Sequence, residues 1–124
     1  MFVPQGIDLT IYKGSTFRAG FNLEENGLPF DLSGWSARMQ IRESVDSDVV
    51  VLELTTENGG ITFTKTTSND GTVTSAGYQL YLSPAQTADV TVSGGVYDIE
   101  LVDVEGDVGR IQSGSVMFDP EVTR

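Results

Sequence analysis

The groups able to do acid–base chemistry here are almost all carboxylates: the sequence holds 18 Asp and Glu but no His and no Cys. A Ser-His-Asp triad, a thiolate nucleophile and zinc sites built on imidazole or thiolate are therefore excluded. A carboxylate pair could still hydrolyse a glycoside. Asp98 and Glu100 are the closest pair, with Asp103, Glu105 and Asp107 just behind them. In a strand, however, the spacing of Asp98 and Glu100 places both on one face, opposite Tyr97 and Ile99. That is the solvent face, where a carboxyl group keeps its ordinary pKa and makes a poor general acid. No catalytic residue is assigned.

The same acidic turn, Asp103-Val104-Glu105-Gly106-Asp107, brings three carboxylates together, and Asp46 and Asp48 form a second cluster. Calcium takes about six to eight oxygens, and the order of carboxylates in the Asp103–Asp107 turn does not match an EF-hand loop. Both read as solvated turns, and no metal or cofactor is expected. Asn58-Gly59-Gly60 and Ser93-Gly94-Gly95 lack the lysine and glycine spacing of a phosphate loop and also read as turns.

Contact residues are the remaining possibility. Alternation sends Tyr12 and Tyr81 outward, where aromatic rings can anchor an interface. Arg38 and Arg42, with Arg18, occupy outward strand positions in a chain that has only 7 Lys and Arg. Such cations are expected to pair with carboxylates, within the monomer first and across a subunit contact second. Tyr12, Tyr81, Arg38 and Arg42 are thus the candidate partner-binding residues. Trp35 shares the register of Ala37, Met39 and Ile41 and is expected in the core.

These residues are positioned by strands. Ile7, Leu9 and Ile11 alternate with polar neighbours, as do Phe17, Ala19, Phe21 and Leu23 after a turn at Lys13-Gly14-Ser15. Asn26-Gly27 marks a hairpin, and Pro29 marks an edge or irregular strand. Further strands follow at Trp35–Arg42, Val49–Leu54, Ile61–Phe63, Tyr78–Leu82, Tyr97–Leu101 and up to Val116–Phe118. Ser83, Pro84 and Gln86 form a capping-box signature for one short helical turn near 84–89. Seven to nine short strands at regular spacing predict an all-β, single-domain antiparallel β-sandwich over residues 1–124, with residues 1–6 and 119–124 as extended terminal arms.

A net charge of −11 argues against a nucleic-acid backbone and an anionic membrane surface as partners. The start, Met1-Phe2-Val3-Pro4-Gln5-Gly6, lacks the basic-then-apolar pattern of a signal peptide. The longest apolar run, Val49-Val50-Val51-Leu52, is far short of a membrane span. Synthesis in a cytosol and a soluble product are expected.

Taken in order, Asp8–Phe17, Asp31–Arg42, Leu54–Ile61, Tyr97–Leu101 and the closing Pro120–Arg124 resemble small virion proteins of tailed bacteriophages and their prophages. They are similar to the N-terminal modules of baseplate and tail-fibre-associated proteins. The resemblance implies an Ig-like sandwich without an active site, located in the virion and made in the host bacterial cytoplasm. It implies docking on other virion proteins, and homo-oligomers, through surfaces and strand edges. Many such relatives continue into a fibre or receptor-binding region where this sequence ends at Arg124, so an adaptor, a decoration protein or a minor tail component is expected, with a tail, baseplate or adaptor place leading. A capsid decoration protein is the alternative, and a carbohydrate-binding sandwich the alternative of another class.

Overall fold

Period-two alternation becomes strand after strand in the computed structural model, which describes residues 2–124. In chain order the strands are β1 (Gln5–Gly6), β2 (Leu9–Tyr12), β3 (Phe17–Asn22), β4 (Glu24–Glu25), β5 (Leu28–Pro29), β6 (Ser36–Arg42), β7 (Val50–Thr55), β8 (Ile61–Thr67) and β9 (Val73–Leu82). The helix α1 (Pro84–Ala88) follows, then β10 (Gly94–Val102) and β11 (Val108–Asp119). Eleven strands among the described residues exceed the expected seven to nine. The surplus over nine is β1 and β4, two-residue pieces too short to show a period, while β5 is the irregular strand expected at Pro29.

A large sheet runs β1-β11-β10-β6-β7, with β2 also on β11, and a small sheet runs β3-β9-β8. Most neighbours are antiparallel, but β1 and β2 both lie parallel to β11, which departs from the expected purely antiparallel pattern. Parallel neighbours need a long crossover between them. Here almost the whole chain supplies it. The expected N-terminal arm is consequently laid along β11, with Gln5 opposite Gln112.

The sheets face each other over one apolar core. Ile11, Met39, Ile41, Leu54, Ile99 and Leu101 come from the large sheet, and Ile61, Leu80 and Leu82 from the small one. Full burial of each such side chain is worth about 1.5–3 kcal/mol. The short helix has the predicted capping box: Ser83 Oγ accepts from the Gln86 amide, and Gln86 Oε1 accepts from the Ser83 amide. Thr87 is buried beneath it, donating to the Ser15 carbonyl at 2.8 Å and accepting from the Gly14 amide at 3.0 Å. The Asn26-Gly27 hairpin forms as expected, with φ of 55° and 77° at the two residues.

One buried polar chain crosses the core. The register on β11 shifts between Ile99 and Glu100, and this bulge turns both Ile111 and Gln112 inward. Tyr78 of the small sheet donates to Gln112 Oε1 at 2.5 Å, and Gln112 Nε2 donates to the Tyr97 hydroxyl at 2.9 Å. Tyr97 in turn donates to the Ile7 carbonyl at 2.6 Å. No buried side-chain nitrogen or oxygen among the described residues lacks a partner, and the N-terminal segment is tied to both sheets. Burial pushes the phenol pKa of Tyr78 and Tyr97 upward, so both stay protonated donors.

Candidate functional site

The residues that could meet a partner stand on the outward faces of the two sheets. On the large sheet, Arg38, Gln40 and Arg42 of β6 alternate with the core residues, as do Asp98 and Glu100 of β10. The register sets Glu100 opposite both Arg38 and Arg110, and Gln40 opposite both Asp98 and Glu53. Three of the chain's 7 cations thus meet three of its 18 carboxylates on one face.

These groups bind one another. Arg38 Nε donates to Glu100 Oε1 at 2.9 Å, and Arg110 Nε lies 3.4 Å from Asp98 Oδ2. Gln40 Nε2 donates to Glu53 Oε2 at 2.8 Å. Arg42, expected to pair with a carboxylate, reaches Gln40 Oε1 at 2.8 Å and the Ser47 carbonyl at 2.7 Å instead. An open groove of about 510 Å³ lies over this ladder, lined by Arg42, Val45, Val96, Asp98, Arg110 and Ser113. Asp98 and Glu100, the pair considered for hydrolysis, are each held by an arginine.

The small sheet is built differently. Its three strands contain no Asp or Glu. Its outward face carries Arg18, Gly20 and Asn22 on β3, Ser75, Gln79 and Tyr81 on β9, and Thr62, Thr64 and Thr66 on β8. Arg18 was expected to seek a carboxylate. Its guanidinium carbon sits 4.7 Å from the Tyr81 ring centroid, a cation–π stack across the strand pair. Tyr81 is half-buried as a result, whereas Tyr12 is 59% exposed on the large sheet, opposite Asp119 of β11, with 55% exposed Met117 opposite Thr10.

Trp35 packs against the core, though only half-buried. It precedes β6, and with Phe2 and Phe30 it forms an edge-to-face trio at the rim of the core, with centroids 5.0–6.4 Å apart. A pocket of about 240 Å³ opens beside the trio, next to Asp103 and Asp107. In the acidic turn, Asp103 Oδ1 accepts the amides of Glu105 and Asp107, both at 2.9 Å. That carboxylate braces the turn. Asp46 and Asp48 lie exposed in the β6–β7 loop.

Strand edges complete the surface, and alternation alone could not rank them. The small sheet has edges at β3 and β8, and the large one at β7 and along β1 and β2. On β7, Asn58 Oδ1 accepts from the Thr55 amide at 2.9 Å while Asn58 Nδ2 donates to the Glu53 carbonyl at 3.0 Å. One side-chain amide takes the place of a neighbouring strand. Nothing comparable covers β3 among the described residues.

No family model matches this chain, and no curated protein matches it. A solved structure from a study of multimeric cell-adhesive interactions of VGSC beta subunits is similar across 99% of this chain and 98% of that one. The identity is 9% and the TM-score 0.41. The all-β architecture with several antiparallel pairings is what the coordinates themselves display.

Proposed function

We propose that this chain is a non-enzymatic structural module of a tailed-phage particle, an Ig-like β-sandwich that docks on a symmetric assembly through its surfaces and strand edges. A tail, baseplate or adaptor position is the leading one. The observation that carries the reading is the small sheet. In a chain of net charge −11, it offers a broad face without a carboxylate and with an arginine stacked on a tyrosine. Depletion of Asp, Glu and Lys with Tyr and Arg retained is the composition of interface centres.

The residue resemblance to small virion proteins supports the particle context. The paired state of Asp98 and Glu100 supports a structural use of those carboxylates. Sugar binding asks for open aromatic faces, and Arg18 covers one face of Tyr81.

Mass spectrometry of purified phage particles from the producing strain tests the proposal. The chain is expected in the particles at a fixed copy number relative to the capsid protein. Particles that infect normally and lack the chain would overturn it.

A further inference from the structure

The β3 edge has main-chain groups with nothing to bond. The Leu23 amide donates to the Ala76 carbonyl at 2.8 Å, which sets the phase of the β3–β9 ladder. Phe21, Ala19 and Phe17 then bond to β9, while Arg18, Gly20 and Asn22 turn their N–H and C=O groups away from it. No hydrogen bond among the described residues reaches those outward groups. The core beneath is also incomplete here. Phe17, Ala19 and Phe21 are half-buried, whereas Tyr78, Leu80 and Leu82 on the adjacent strand are buried.

We propose that β3 is a strand-pairing edge and that its occupant is β3 of a second copy, running antiparallel about a two-fold axis at Gly20. The strand is self-complementary in this register. Arg18 stands opposite Asn22 of the second copy, and Phe21 opposite Ala19, so a large side chain meets a small one on the core side. No like charges oppose one another. A register centred on Arg18 would set two cations face to face, and one centred on Asn22 would run off the strand. The space beside Gly20 is open, with no heavy atom within 4 Å of where a Cβ would stand. Pairing forms about six main-chain hydrogen bonds and joins the two small sheets into one.

This contact rests on the assembly reading above and names one interface within it. The test is the self-association constant of the full chain by sedimentation equilibrium at physiological salt, where a screening length of about 8 Å damps the repulsion of the acidic copies. Asn22→Asp places a carboxylate opposite Arg18 and is expected to tighten association; Asn22→Arg is expected to weaken it. Two symmetric cross-strand pairs change at once, so each shift is roughly two- to thirtyfold. The Asn22 side chain is exposed, and thermal melting checks that both variants fold. Combining Arg18→Asp with Asn22→Arg should restore association.

A wild-type chain that stays monomeric at every concentration, or a dimer indifferent to residue 22, overturns the pairing. A monomer still found in purified particles would remove this contact and leave the particle reading standing. Self-association of the predicted sign, in a chain absent from particles, would do the reverse.

Discussion

The two sheets come from the same alternation of apolar and polar residues, yet they finish their outer surfaces in opposite ways. The large sheet closes on itself: its outward arginines and carboxylates bind each other, and Asn58 occupies the outer edge of β7. The small sheet leaves its polar groups open, with hydroxyls and amides in rows, no carboxylate, and an unpaired β3 edge. Exposed edges are templates for another chain, and natural sheets usually blunt them. The edge at β7 is blunted and the edge at β3 is bare, so the two outer strands differ in what they offer another chain.

The largest expected effect lies where the sheets are joined. Gln112 is fully buried and bonds Tyr78 on one side and Tyr97 on the other. Gln112→Leu strands the Tyr78 hydroxyl without its acceptor, and the expected loss is about 2–3 kcal/mol in denaturant unfolding. Adding Tyr78→Phe removes the orphaned donor. The double variant should then recover a large part of the loss, since a polar pair deleted together costs less than either half. If the single variant unfolds like wild type, the two sheets are joined by apolar packing alone.

The same junction predicts an alkaline limit. Burial raises the Tyr78 and Tyr97 phenol pKa above the ordinary value of 10.0, so the folded protein holds both neutral where an unfolded chain would ionise them. Their contribution is whole below pH 10.0 and declines as the pH rises above it, because the unfolded state releases protons first. Tyrosinate absorbance should therefore show these two phenols ionising only with unfolding. Their early ionisation in a folded chain would mean that water reaches the Gln112 chain.

Much of this contrast is legible in the residues. Alternation alone places Met39 and Ile41 inward with Arg38 and Gln40 outward on β6, and likewise Ile99 inward with Asp98 and Glu100 outward on β10. The hairpin and helix caps are written in local chemistry that needs no tertiary context. Gln112 is different: it keeps the phase of Val116 and Phe118 while Ile111 keeps that of Gly109, and only the bulge between them lets both turn inward. Trp35 reaches the core only in part, because its strand begins one residue later and its ring joins Phe2 and Phe30 at the rim. The parallel pairing of β1 and β2 joins residues about a hundred positions apart, beyond any local signal. Asn58 reads as a turn residue, and its hold on β7 shows only once the turn has folded back beside that strand.

A smaller change would make the two edges alike. Asn58→Ala removes the side-chain amide that serves the Thr55 N–H, the Glu53 carbonyl and the Gly60 N–H. Two of these bonds are solvent-exposed and the one to Gly60 is part-buried, so the expected stability loss is about 1 kcal/mol. The informative readout is association: β7 starts at exposed Val50, just after exposed Val49, and uncapping it should raise concentration-dependent light scattering. An Asn58→Ala chain no more prone to associate than wild type would mean that the edge is protected by its acidic flanks rather than by Asn58.

The smallest effect is expected on the outward face of the large sheet. Glu100 is bonded to Arg38 and lies opposite Arg110, so it is the carboxylate with most to lose there. The side chains of Arg38 and Glu100 are nevertheless 54% and 28% exposed, and water screens most of their attraction. Glu100→Gln keeps the shape, removes the charge, and should cost no more than about 0.5 kcal/mol in low salt. Molar salt should reduce that difference further, since the screening length falls to about 3 Å. A loss well above this, persisting at high salt, would show that the ladder holds the sheet together as strongly as buried groups do. The contrast with the small sheet would then be one of stability as well as of surface.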